Sequence, residues 1–157
     1  MFRKTKTSLV VLLTALVLAA CSGGPPKRVF APTASIQELV AQADGQWRVT
    51  VRIQSFSNVP HTVSDLSAQL RVDSVEAATL RLTPQVAIGP QSAEVEDLLV
   101  TPAADAATRV QAALDSGRRV DYVLHGTLTS IDPDKRRDDF TFEGQLWPMP
   151  GLPGVLR

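Results

Sequence analysis

From Trp47 to Gln54 the chain alternates without a break: Trp47, Val49, Val51 and Ile53 are apolar, and Arg48, Thr50, Arg52 and Gln54 are polar. A period of two places all four apolar side chains on one face of an extended strand, so this stretch demands a sheet with one buried face. The same pattern recurs in Leu66, Ala68, Leu70 and Val72, and in Ala78, Leu80 and Leu82 before Pro84 stops it. Gly89-Pro90 then punctuates a shorter strand over Val95 to Val100. Val120, Tyr122, Leu124, Gly126 and Leu128 alternate through residues 119–130, and Phe140, Phe142, Gly144 and Leu146 through 139–146. The polar run Asp132 to Asp139 between these two predicts a hairpin turn. Ser55 to Thr62, with Asn58 and Pro60, predicts the connection between the first two strands, expected to pair antiparallel.

One helix interrupts the strands. Thr101 is placed to cap it, Pro102 suits a first helical position because its missing N–H needs no partner there, and Asp105 lies near the positive end of the dipole. Ala106, Val110, Ala113 and Leu114 share a narrow face, and Gly117 suits the left-handed closing position. A stripe made mostly of alanine predicts a helix lying against a sheet edge. Six or seven short strands and one short helix specify an immunoglobulin/fibronectin-III-like antiparallel β-sandwich of about seven strands. With one cysteine in 157 residues, no internal disulfide is available and packing alone must hold the fold.

That cysteine ends Leu18-Ala19-Ala20-Cys21, which resembles the lipobox of bacterial lipoprotein precursors. A basic head (Arg3, Lys4, Lys6) and an apolar run from Leu9 to Ala20 precede it, the architecture of a secretory signal. As a helix these 12 residues would reach about 18 Å, short of the ~30 Å hydrocarbon core, so the run reads as a transported leader. The resemblance implies cleavage between Ala20 and Cys21 and a covalent lipid on the Cys21 thiol, the one non-protein group expected. Ser22, where an Asp would mark inner-membrane retention, favours the outer membrane, with the domain facing the periplasm. From Cys21 to Ala34 the breaker-rich chain predicts a flexible tether, whose ~14 residues could extend on the order of 45 Å. The expected organisation is signal peptide 1–20, tether 21–34, sandwich 35–147 and a Pro/Gly-rich tail 148–157.

The leader holds three of the 16 Lys and Arg and none of the 16 Asp and Glu, so the remainder carries a net charge of −3. Nucleic acid needs a basic surface and is excluded as a partner on that ground. Arg118-Arg119 and Lys135-Arg136-Arg137 are short and flanked by acids, and read as solvated turns.

The run from Val51 to Leu70 resembles the signature of late embryogenesis abundant type 2 proteins, also called the water stress and hypersensitive response domain. Val51, Ile53, Pro60, Thr62, Val63, Leu66 and Leu70 match in frame. Ser55-Phe56-Ser57 stands where that family has Asn-Pro-Asn, and Asp65 where Gly is common. Tyr122 to Leu128, with Gly126, is similar to the later family strand that closes with a glycine. The resemblance covers roughly residues 36–147. It implies a seven-stranded sandwich with one helix, a link to desiccation and other stress, and no catalytic residues.

Little else carries chemistry. His61 beside a turn proline and His125 on an outward strand face read as surface residues, with no G-x-S-x-G context to make a hydrolase of them. Two His and one lipidated Cys lack zinc-ligand spacing, and Asp132, Asp134, Asp138 and Asp139 lack the Gly and distal Glu of a calcium loop. No catalytic residue, metal or cofactor is expected. The function read from the sequence is a non-enzymatic, lipid-anchored envelope protein serving maintenance or desiccation protection by binding proteins or apolar ligands. The alternative is an accessory or assembly subunit that docks through Trp147, Met149, Leu152, Val155 and Leu156, unless those residues fold back over the open end of the sandwich.

Overall fold

The computed structural model describes residue 24 and residues 26–157, so the signal sequence and its lipobox, Ala20 and Cys21 included, lie outside the described residues. Among the described residues, nine strands form two antiparallel sheets that share an apolar core with one helix. In the first sheet the order is β6 (Ala93–Val100), β2 (Trp47–Gln54), β1 (Thr33–Ala41), β9 (Val155–Leu156). In the second it is β4 (Val75–Leu82), β3 (His61–Val72), β7 (Val120–Asp132), β8 (Arg136–Leu146), and β5 (Val86–Ile88) continues beyond β4 along the same side of β3. The architecture is the expected sandwich. Its inner faces carry the alternating residues read from the sequence: Trp47, Val49, Val51 and Ile53 meet Leu66, Leu70, Tyr122, Leu124 and Leu128, all buried.

Four expectations need correction. The strands β2 and β3 do not pair; β2 lies between β1 and β6, while β3 lies between β7 and the β4/β5 side of the other sheet. The Ser55–Pro60 connection therefore crosses between sheets, which lets both strands turn their apolar faces inward. Second, β1 begins at Thr33, inside the expected tether, with Ala34 fully buried. Upstream of it, Asn58 Nδ2 donates to the Pro26 carbonyl at 2.9 Å and Asn58 Oδ1 accepts from the Arg28 N–H at 2.7 Å. Only four residues separate Cys21 from that clasp at Pro26, a span of at most about 17 Å. From Pro26 onward the expected tether is held against the domain, because side chains of the β2–β3 loop, Asn58 and Ser57, bond its backbone.

Third, the helix, α1, spans Ala104–Ser116, starting later than Thr101 and Pro102 would have it. Ala103 is the N-cap, extended and, as an alanine, without a side-chain cap; its N–H donates to the Ala77 carbonyl of β4 at 2.8 Å. Its far end behaves as predicted: Gly117 at φ +64 closes it, and the Arg118 N–H reaches the Ala113 carbonyl at 2.9 Å. Ala106, Val110 and Ala113 are buried against β4 and β3, the edge position expected of a small-residue stripe. Fourth, β7 and β8 run further into the polar turn than their apolar residues indicate, leaving Pro133, Asp134 and Lys135 as the connection.

The sandwich has two distinct ends. One carries the N-terminal segment, the β2–β3 loop, the β5–β6 loop and the β7–β8 turn, since Thr33 pairs with Gln54 and Thr62 with Asp132. The opposite end carries the β1–β2 turn, the helix C-terminus and the C-terminal residues, since Ala41 pairs with Trp47 and Val120 with Leu146.

Candidate functional site

The nominated tail is a strap rather than a loose segment. After β8 the chain reverses through Gly151 (φ +80) and Gly154 (φ +79), left-handed positions that glycine adopts without strain. Trp147 and Arg157 exchange backbone hydrogen bonds, the Met149 N–H donates to the Val155 carbonyl at 2.9 Å, and β9 adds Leu156 opposite Leu39 and Val155 opposite Val40. The Arg157 guanidinium grips Glu38 at 2.7 Å. Of the five nominated residues, Leu156 is fully buried in the core and Val155 and Met149 are half-buried. Trp147 and Leu152 stay exposed, at 52% and 49%. Prolines at 148, 150 and 153 rule out a central strand yet still permit a short edge pairing between them and the chain end.

Beside the strap lies a cleft of about 600 Å³, lined by Met149, Leu152 and Pro153 from the strap, Ala41 and Gln42 from the β1–β2 turn, and Gln111, Leu114 and Asp115 from α1. It joins apolar walls to two amides and a carboxylate, without the convergent titratable groups that chemistry requires.

At the other end the fold assembles a polar cluster that motif reading missed. His61 is fully buried, not a surface residue, and its Nε2 lies 2.6 Å from the buried Ser130 Oγ. Asp138 pairs with Arg136 close by, and burial, followed by the Arg136 charge, holds the His61 imidazole below its usual 6.5. A Ser, a His and nearby carboxylates invite comparison with a hydrolytic triad. The arrangement differs in two respects: both His61 and Ser130 are sealed from solvent, and Nδ1 of His61 has no partner to orient the ring. As built, the pair is a neutral hydrogen bond inside the core. The available signal was phase, because Ser130 continues the inward set Val120, Tyr122, Leu124 and Leu128. His125 is exposed and hydrogen-bonds Thr141 across β7 and β8 at 2.9 Å. Among the described residues, no three His, Cys, Asp or Glu side chains converge as metal ligands.

The departure from Asn-Pro-Asn acquires a structural meaning at this end. Ser55 and Ser57 are fully buried, and Ser57 Oγ accepts from the Phe30 N–H at 2.9 Å and donates to the Phe30 carbonyl at 3.3 Å. Phe56 between them is turned outward, 53% exposed. With Asn58, this loop fixes the path by which the chain leaves the domain.

No protein-family model and no curated protein matches the chain. Several solved structures resemble it weakly, three of them as follows. A crystal structure of a protein from Archaeoglobus fulgidus is 16% identical, with 78% of this chain and 98% of that one covered and a TM-score of 0.43. A solution structure of an Arabidopsis thaliana protein is 12% identical over 81% and 84%, with a TM-score of 0.49. A solution structure described as a candidate late embryogenesis abundant (LEA) protein is 16% identical over 94% and 88%, also at 0.49.

Proposed function

We propose that this chain is an outer-membrane lipoprotein whose sandwich faces the periplasm and works by contact rather than catalysis, in envelope maintenance or protection against water stress. The observation that carries the reading is Leu18-Ala19-Ala20-Cys21 behind a basic head and an apolar run too short to span a bilayer. The in-frame Val51 to Leu70 signature supports the stress role, and the excess of acidic residues after the leader speaks against a nucleic-acid partner. Acyl chains contribute about 0.8 kcal/mol per buried CH₂, so two or more hold a domain stably at a membrane. Intact mass of the protein from cell membranes should show an acylated N-terminal cysteine, and Cys21→Ser should leave the membrane fraction. A bare Cys21, or unchanged fractionation of the variant, overturns the placement. The protective role predicts less aggregation of a dried or heated client enzyme than an equal mass of inert protein allows.

A second reading, an accessory subunit docking on an envelope protein, draws on Trp147 and Leu152, exposed beside the cleft. Deleting the strap would remove Leu156 from the core, so this reading is tested by point changes. A stoichiometric crosslinked partner lost in Trp147→Ser and Leu152→Ser supports docking, and an unchanged pattern argues against it.

A further inference from the structure

Large apolar side chains are left exposed at both ends of the sandwich. At the end where the chain departs toward Cys21 stand Phe30 (52% exposed) and Phe56 (53%), with Ile131 (47%) on the same end at the close of β7. Phe56 is the chain neighbour of Ser57, whose hydroxyl both accepts from and donates to the Phe30 backbone. Neither ring belongs to the core cluster, although Ser55 and Ser57 on either side of Phe56 are fully buried. Lys27 and Arg28, both exposed, lie beside Phe30 on the departing segment; the same end also carries Asp132 at the close of β7, Asp134 and Lys135 in the β7–β8 turn, and exposed Glu94 near the start of β6.

We infer that this end is a membrane-contact surface: Phe30 and Phe56 insert at the bilayer interface, with Lys27 and Arg28 at the level of anionic headgroups. The inference rests on the lipid-anchor reading, and chain geometry makes the two continuous. From Cys21 to the clasp at Pro26 the backbone extends at most about 17 Å, so an acylated Cys21 keeps this end within that distance of the lipid surface. Aromatic rings with neighbouring cations are the composition that interfacial contacts use. Contact at this end orients the sandwich upright and presents the strap, Trp147 and the cleft to the periplasm.

The chain's two tryptophans permit a direct test. Trp47 is buried and Trp147 is exposed at the far end, so the parent protein reports distance from the membrane there. The full lipidated protein is reconstituted into phosphatidylethanolamine/phosphatidylglycerol vesicles with brominated acyl chains, alongside a variant carrying Phe56→Trp and Trp147→Phe. Both substitutions are at exposed positions and leave the core intact. The variant should lose emission to the brominated lipid and shift to the blue, and the parent should do neither. Quenching of both would mean that the domain lies flat, and quenching of neither, with acylation confirmed by intact mass, would mean that it swings free; each overturns the proposal and leaves the anchor standing. If intact mass shows Cys21 bare, the anchor reading fails separately; quenching of the position-56 tryptophan on added vesicles then still supports the surface, and its absence overturns it.

Discussion

Tyr122→Phe isolates a single hydrogen-bonding group that ties the two sheets together. Tyr122 stands on β7 of the second sheet, 4% exposed, and its hydroxyl accepts from the Ile36 N–H at 3.0 Å and donates to the Ile36 carbonyl at 3.3 Å in β1 of the first. Ile36 lies at the β1 bulge, and on its far side from β2 the strand β9 covers β1 only at Leu39 and Val40. Phenylalanine keeps the ring against Phe142, 6.1 Å between centroids, and opens almost no cavity, so the cost is that of leaving two buried polar groups unpaired. We expect a loss of about 2 kcal/mol, within the roughly 1–3 kcal/mol typical of such an omission. For a domain of this size that corresponds to a fall of roughly 6–10 °C in Tm. Urea unfolding should show a lower midpoint at unchanged slope, which assigns the effect to native-state stability.

The same residue gives an independent check through pH. Burial raises the Tyr122 phenol above its usual 10.0, partly offset by the bond to Ile36. The unfolded chain therefore releases this proton before the folded one does. The associated stability is complete below pH 10 and declines as pH rises toward the raised value. Tyr122 is the chain's only tyrosine, so tyrosinate absorbance follows it directly, and the stability gap between parent and variant should narrow above that pH. A loss below about 0.5 kcal/mol, with ordinary phenol titration, would refute the cross-sheet role.

The remaining predictions concern packing and the buried histidine. In Gly126→Ala the new Cβ would lie 2.2 Å from the Ser67 carbonyl oxygen and 2.5 Å from Ala68 Cα, backbone that two central strands hold in place. It should cost about 3 kcal/mol or more by urea denaturation. Gly144→Ala should be milder in the same assay, because the atoms nearest its Cβ, from 2.6 Å, belong to the Tyr122 side chain rather than to backbone. Leu156→Ala removes a fully buried side chain and should lose about 2–5 kcal/mol of stability. Leu152→Ala, on the exposed strap, should stay within about 0.5 kcal/mol. His61 is held neutral by burial, its pKa depressed, so its contribution is present above pH 6.5 and is lost as pH falls through the lower folded value. Unfolding at pH 7 and pH 5 should show that acid loss in the parent, and His61→Gln should flatten it.

Period-two alternation made most of this sandwich legible from the chain itself. Trp47 to Ile53, Leu66 to Val72 and Val120 to Leu128 bury the residues their phase selects, because an extended backbone presents successive side chains to opposite faces whatever it pairs with. Local chemistry likewise set the end of α1 at Gly117, where a left-handed residue is needed. Which strands pair was decided elsewhere. Each of β2 and β3 carries one apolar face, a condition met equally by pairing edge to edge or by facing one another across the core, and only the complete set of strands selects the second. Strand β1 escaped notice because its bulge between Ile36 and Glu38 breaks the alternation, and β9 because its two residues carry no period at all. His61 became a core residue through the partner that β7 supplied, Ser130, 69 positions away. The proposed location is the reverse case: it is read from residues 18–21 without reference to any fold, since a signal of that kind acts before folding. Only the tertiary structure turned the following segment into a short clasp, with Asn58 and Ser57 holding it 30 residues or so further along the chain. Side-chain periodicity is a local property of the backbone, while partner choice and burial of polar groups depend on contacts between residues far apart in sequence, and those exist only once the chain is folded.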